Sequence, residues 1–290
     1  MVNKKHVLTL FIMSLTLLSS PVWAGSQFYG ASIDTAKWRS SGNRLECRLS
    51  QIIPGYGKAT FKHRALESME FRVSSNYQPR EASQALVFTN PPNWMTYGNQ
   101  KLLGRVPLSA QKDSIVVPED WAFRMAIELR EGMEAVWTHA DLADGKDMVS
   151  AKVLPIRFEA AWRDFQQCAE NLIDYGYDDI RFSTFYFPKK SVRLNSNEKA
   201  YLNKLAEYVL LDPDYQYIKI NSHTDSRGLR GINMAISRKR ANLVKNYLVK
   251  RGVSPKRFMI VARGEKKPKY NNRTKSGRDK NRRVEVRLIK

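Results

Sequence analysis

The sequence predicts an α+β chain of two domains: a β-rich N-terminal domain and a C-terminal domain of order βαβαββ built on a mixed sheet. Three observations carry this. Charge divides the chain near residue 180, since residues 181–290 hold 29 Lys and Arg against 8 Asp and Glu, while the residues before them hold 20 of each. Before that break, short segments alternate apolar and polar residues as half-buried strands do. After it, strand-like alternation at residues 217–222 and 283–289 brackets a stretch of helical period.

The N-terminus reads as a signal peptide over residues 1–24. Lys4 and Lys5 precede an apolar run from Val7 to Leu18, and Val22 and Ala24 fit a cleavage site before Gly25. The run is too short for a comfortable membrane span and no later stretch is longer, so the chain is expected to be exported and not membrane-spanning. Gly25, where a lipid-anchored protein has Cys, disfavours a lipid anchor.

Residues 25–178 form the expected first domain. Leu45, Cys47 and Leu49 alternate with Glu46, Arg48 and Ser50, and Met69, Phe71 and Val73 with Glu70 and Arg72. Further strands are expected over 83–89, 115–117 and 148–156, separated by turn signals at 54–57, 90–93 and 144–146. Helices are expected over 120–131, stopped by Gly132, and over 158–175, stopped by Gly176. The second helix carries Phe158, Trp162, Phe165 and Cys168, and would tie the two domains together. Its aromatic stripe reads as core. Cys47 and Cys168 read either as buried thiols or as a disulfide; export, and their places near the ends of the neutral segment, favour the bond. Closing a loop of 121 residues is worth roughly 4–5 kcal/mol at most in the loop-entropy account.

Residues 179–290 form the expected second domain. A strand over 179–187 ends at Pro188, and a helix over 197–211 presents Leu202, Leu205, Ala206 and Val209 inward. A strand follows over 217–222, then a helix over 237–251 with Ala241, Val244 and Leu248 inward, and strands over 257–263 and 283–289.

The helix expected to begin at Ser237 is unusual, because Arg238, Lys239 and Arg240 would stand where the helix dipole is already positive. Such an end suits an anion, most naturally a carboxylate. Asp225 leaves the preceding strand on the side where that helix begins. From spacing alone, Asp225 and Arg240 read either as an ordinary salt bridge or as a grip on a zwitterion, with an ammonium on Asp225 and a carboxylate on Arg240.

His223-Thr224-Asp225, Asn233, Ser237, Arg240-Ala241, Gly252-Val253, Arg257, Gly264-Glu265, Pro268 and Asn281-Arg282-Arg283-Val284, in order and at matching separations, resemble the OmpA-like peptidoglycan-binding domain. That resemblance implies that Asp225 and Arg240 grip the free end of diaminopimelate in the peptidoglycan stem peptide, with Thr224, Asn233 and Arg282 lining the pocket. The chain departs from the family's usual pattern at Ser222 and Ala262, where Gly is common, at Arg263, where an aromatic is usual, and after Phe187, where Pro188-Lys189 replaces an acidic residue.

Chemistry of other kinds has little support. His63, His139 and His223, the histidines after residue 24, have no metal-ligand spacing, and no cofactor or metal is expected. Ser222, His223 and Asp225 are too close along one strand to form a triad. Gly55-Tyr56-Gly57-Lys58 lacks the spacing of a phosphate loop. The basic second domain would suit nucleic acid, but export argues against that partner and towards envelope polyanions.

Residues 45–49, 53–61, 91–94 and 165–172, including both cysteines, resemble the MotY family of periplasmic flagellar motor proteins. That resemblance implies a non-enzymatic chain. Its first domain would join a ring around the basal body with a MotX-like partner, and its second would hold the assembly to peptidoglycan and so support the stator. The alternative is a general envelope-stabilising protein unrelated to motility.

Overall fold

Apolar residues at every second position of the N-terminal half are buried on one side of two sheets, and this pairing of faces creates the first core. The computed structural model describes residues 25–76, 82–108, 114–140, 147–212 and 214–290; the expected signal peptide and the expected turn at 144–146 lie outside the described residues. The first half comprises β1 (Ser26–Tyr29), β2 (Trp38–Gly42), β3 (Glu46–Ile53), β4 (Gly57–Arg64), β5 (Glu70–Ser75), β6 (Ser83–Asn90), β7 (Lys101–Leu108), β8 (Ser114–Val117), α1 (Glu119–Arg130), β9 (Glu134–Ala140), β10 (Met148–Val153) and α2 (Phe158–Glu170).

Its strands form two five-stranded sheets, ordered β2-β3-β4-β5-β8 and β1-β10-β9-β6-β7. Leu49, Phe61 and Phe71 of one, Val87, Trp137 and Ala151 of the other, and Phe158, Trp162 and Phe165 of α2 share a single core. The aromatic stripe of α2 is therefore core. Cys47 of β3 is disulfide-bonded to Cys168 of α2, fixing the helix against the sheet. The expected helix over 158–175 ends early, at Glu170, because the backbone then turns to donate from Ile173 N to Arg44 O (2.8 Å).

The second half comprises α3 (Tyr177–Ile180), β11 (Phe182–Tyr186), α4 (Ser196–Leu211), β12 (Tyr217–His223), α5 (Arg230–Val249), β13 (Phe258–Gly264), α6 (Lys275–Asn281) and β14 (Arg283–Ile289). Its sheet runs β11-β14-β12-β13, with β12 and β13 parallel and the other pairs antiparallel, so the sheet is mixed. Ile218, Ile220, Val284 and Val286 meet Leu202, Leu205, Ala241 and Val244 of α4 and α5 in a second core. The expected strand over 179–187 starts later, at Phe182, because Asp179 Oδ2 accepts from Gly176 N (2.8 Å) and holds residues 177–180 in a helical turn. Among the described residues, no helix is long and apolar enough to cross a membrane.

The two cores meet. Leu45 and Ala65, from the β-rich half, are buried in the second core together with Ile173 and Tyr175. Arg64 Nη2 donates to Asp212 Oδ2 (2.9 Å) and Tyr208 Oη (3.2 Å), and its Nη1 to Glu46 Oε2 (3.2 Å). Lys290 Nζ completes the cluster, 2.8 Å from Asp212 Oδ2. Burial alone would raise the Asp212 carboxyl, but Lys290, the Asp214 N–H and Arg64 together hold it below its usual value. Replacing Arg64 with Met keeps the packed stem but takes one cation from a buried carboxylate. Thermal unfolding of Arg64→Met should show a loss of about 1–3 kcal/mol; an unchanged melting curve would mean the cluster contributes nothing to joining the halves.

Candidate functional site

β12 leaves the sheet at His223, and its register against β13 shifts between Ser222 and His223. Thr224 N donates to Gly264 O (2.8 Å), and Asp225 Oδ1 accepts from Arg227 N (3.0 Å), which fixes the carboxylate in a local turn. Gly264 adopts φ +55°, and a Cβ there would lie 3.3 Å from Met234 N of α5, so this close strand–helix approach favours glycine.

The helix that carries Arg240 begins at Arg230, not at Ser237. This corrects the expected anion site at a helix N-terminus. Ser237 lies inside α5, where its Oγ donates to Ser222 O (2.9 Å) and accepts from Gly264 N (3.2 Å), tying the helix to β12 and β13. The true start has no capping side chain, since Leu229 occupies the N-cap position. Arg240 therefore acts from the middle of the helix.

Arg240 is only 1% exposed. Its Nε donates to Ser191 O (2.9 Å) and its Nη2 to Pro188 O (3.1 Å), and the guanidinium sits 4.8 Å from the centre of the Phe187 ring. Its Nη1 has no hydrogen-bond partner among the described residues. Burial, reinforced by the like charge of Arg282, pushes its pKa down to about 10 against the pull of Asp225. It is still a cation at neutral pH.

Asp225 pairs with Arg282, whose Nη1 lies 2.7 Å from Asp225 Oδ2. Arg282 also donates from Nε to Phe187 O (3.0 Å) and pairs with Asp279. Burial alone would lower the Arg282 pKa, but Asp225 and Asp279 raise it overall. Arg282 is aimed by its neighbour: buried Asn281 accepts from the N–H groups of Lys269 and Tyr270 (both 3.0 Å) and locks the preceding loop. Asn233 Nδ2 donates to Glu265 Oε2 (2.7 Å). The buried Thr224 Oγ1, like Arg240 Nη1, has no partner among the described residues.

Thr224, Asp225, Asn233, Arg240 and Arg282 thus line one pocket of about 320 Å³. It offers a carboxylate, two guanidinium groups and two unfilled hydrogen-bonding positions, a set suited to a small ligand bearing both an anion and a cation. Lys190, Ile232 and Ile236 line it as well. The two isoleucines were missed because the helix was started too late, although their i, i+4 spacing ahead of Ser237 was the available signal. Lys189, noted in the sequence only as a departure from an acidic residue, also lines the pocket.

A four-stranded mixed sheet with this pocket at the end of β12 defines an OmpA-type domain, and the OmpA family matches residues 186–282. The MotY N-terminal domain family matches residues 29–173, half of the chain, and the chain belongs to that family. It is 25% identical over 288 residues to the sodium-type flagellar protein MotY of Vibrio parahaemolyticus, spanning 98% of each chain. It is 40% identical over 101 residues to a peptidoglycan-associated lipoprotein of Buchnera aphidicola, covering 35% of this chain and 58% of that relative. Among solved structures, the peptidoglycan-associated lipoprotein of Burkholderia pseudomallei matches 36% of this chain and 88% of its own, with 28% identity and a TM-score of 0.35.

His223 is a buried strand-end residue, with Nδ1 3.3 Å from Lys266 O. Burial, then the Arg283 charge, lowers its pKa, partly opposed by the Lys266 carbonyl and Glu285. A depressed folded-state value means that the unfolded chain binds the proton more readily. The stability contributed by neutral His223 is therefore full above its unfolded value of about 6.5 and is lost as pH falls below it. The melting temperature should drop between about pH 7 and pH 5, and His223→Gln should flatten that part of the profile.

Proposed function

We propose that this chain is a non-catalytic periplasmic component of the flagellar motor that is anchored to peptidoglycan. Residues 179–290 form the peptidoglycan-binding part. Asp225 receives the ammonium and Arg240 the carboxylate at the free end of diaminopimelate, with Thr224, Asn233 and Arg282 completing the pocket. The observation that carries this reading is the buried Arg240 guanidinium, which reaches the pocket as a cation with an unfilled N–H and no carboxylate within ion-pair distance among the described residues. A carboxylate ligand supplies what the fold leaves out. The Asp225 carboxylate already accepts from Arg227 N and Arg282, but its two oxygens have room for an ammonium as well.

Residues 25–178 form the motor-facing part, which joins a ring around the basal body with a MotX-like partner and so supports stator assembly. Membership of the MotY family and the full-length similarity to the Vibrio parahaemolyticus protein support this half of the reading. A rigid module suits a load-bearing ring, and the disulfide and the shared core of the two sheets supply rigidity.

Binding of the purified chain to isolated peptidoglycan sacculi tests the anchor. The parent should stay bound in high salt, and Asp225→Ala and Arg240→Ala should each weaken binding by about ten-fold or more, because each leaves a buried opposite charge of the ligand unmatched. Binding that merely fades with salt and ignores both substitutions would overturn the pocket and leave only attraction to the basic surface.

A further inference from the structure

The Asp225–Arg282 ion pair has a second side. It is also a wall of a neighbouring pocket of about 590 Å³, completed by Tyr186, Lys275 and Arg278. Lys189 and Arg227 border both pockets. The two cavities therefore lie side by side and share Lys189, Asp225, Arg227 and Arg282 as lining.

Their charges differ. In the first pocket, Asp225 gives an ammonium a place to bind. In the second, the carboxylates of Asp225 and Asp279 are both taken up by Arg282. Among the described residues, Lys189, Arg227, Lys275 and Arg278 have no carboxylate within ion-pair distance. Arg278 is held in place by donating from Nη1 to Asn272 O (2.9 Å) and Arg273 O (2.7 Å). Tyr186 adds an aromatic side chain whose hydroxyl stays protonated, its pKa raised by burial and by Tyr270. A pocket with four cations outside any ion pair and a hydroxyl is complementary to an anion, and the lining it shares with the zwitterion site points to an anion carried by the same molecule.

We propose that this second pocket is a carboxylate subsite, which binds a free carboxylate one residue away from the diaminopimelate end of the stem peptide. In a peptide whose preceding glutamate is linked through its side chain, the α-carboxylate of that glutamate is the group in question. Recognition then depends on three charges of the ligand, one ammonium and two carboxylates, and amidation of the glutamate removes one of them. This inference rests on the peptidoglycan reading of the first pocket.

Calorimetric titration of the full chain at elevated salt, which screens exposed charge, tests it with three probes: meso-diaminopimelate, the alanyl-γ-glutamyl-diaminopimelate tripeptide, and the same tripeptide amidated at the glutamate α-carboxylate. The acidic tripeptide should bind about three- to ten-fold more tightly than the amidated one. Lys275→Gln, which touches only the second pocket, should narrow that gap and leave the affinity for free diaminopimelate unchanged. Equal affinities for the two tripeptides, with diaminopimelate still binding, would overturn the subsite alone. Failure of all three probes to bind would overturn the reading of the first pocket, and the subsite with it.

Discussion

The site depends on burying the charge of Arg240. Removing a guanidinium from water costs several kcal/mol unless partners replace the lost hydration. Here the fold supplies two carbonyls and an aromatic face but no direct carboxylate contact among the described residues. Burial and the like charge of Arg282 hold the Arg240 pKa down, against the pull of Asp225. The surroundings are arranged to tolerate it: Ser237 ties α5 to two strands, and Gly264 lets the helix approach the sheet closely. Asp225, nearby, is engaged by Arg282. Folding thus carries part of the cost of desolvating the cation before ligand arrives, which is what preorganisation means for an anion site.

The rest of the chain gives that site something to hold. One core joins two sheets and α2, another joins the mixed sheet and its helices, and Leu45 and Ala65 cross from the first half into the second core. The Arg64–Asp212–Lys290 cluster lies along the same junction. A ligand bound at the end of β12 is therefore connected to the β-rich half through packed side chains and charge pairs. That continuity fits a part that bears load between a mesh and a machine.

Much of this was legible in the sequence, for identifiable reasons. β3 and the stretches 70–73, 217–222 and 284–289 of β5, β12 and β14 alternate because each buries one face, and α4 shows its inward residues and an Asn195–Glu198 capping box. Other strands gave weaker signals. β9 is buried on both faces over most of its length, so it does not alternate, and β7 holds a glycine and a proline. α6 was invisible because its seven residues contain no apolar side chain; Thr274, whose hydroxyl accepts from Gly277 N, was its only cue. The family motif named five residues that line one cavity, but it did not give their arrangement. Spacing suggested Asp225 opposite Arg240 at a helix end, whereas Asp225 pairs with Arg282 and Arg240 reaches the pocket from mid-helix. Side-chain hydrogen bonds to distant carbonyls, such as those of Pro188 and Ser191, leave no periodic trace in a sequence.

A pocket that sets Asp225 beside two guanidinium groups should recognise a zwitterion and not an anion or a cation alone. Nuclear magnetic resonance titration of the full chain with meso-diaminopimelate, pimelate and cadaverine, which share a carbon chain but differ in carrying both groups, only carboxylates or only amines, tests it most directly. Diaminopimelate should give saturable shifts at Thr224, Asp225, Asn233 and Arg240, and the other two at most weak, salt-sensitive shifts. Equal binding of pimelate at these residues would contradict it, and would reduce the pocket to a patch of positive charge.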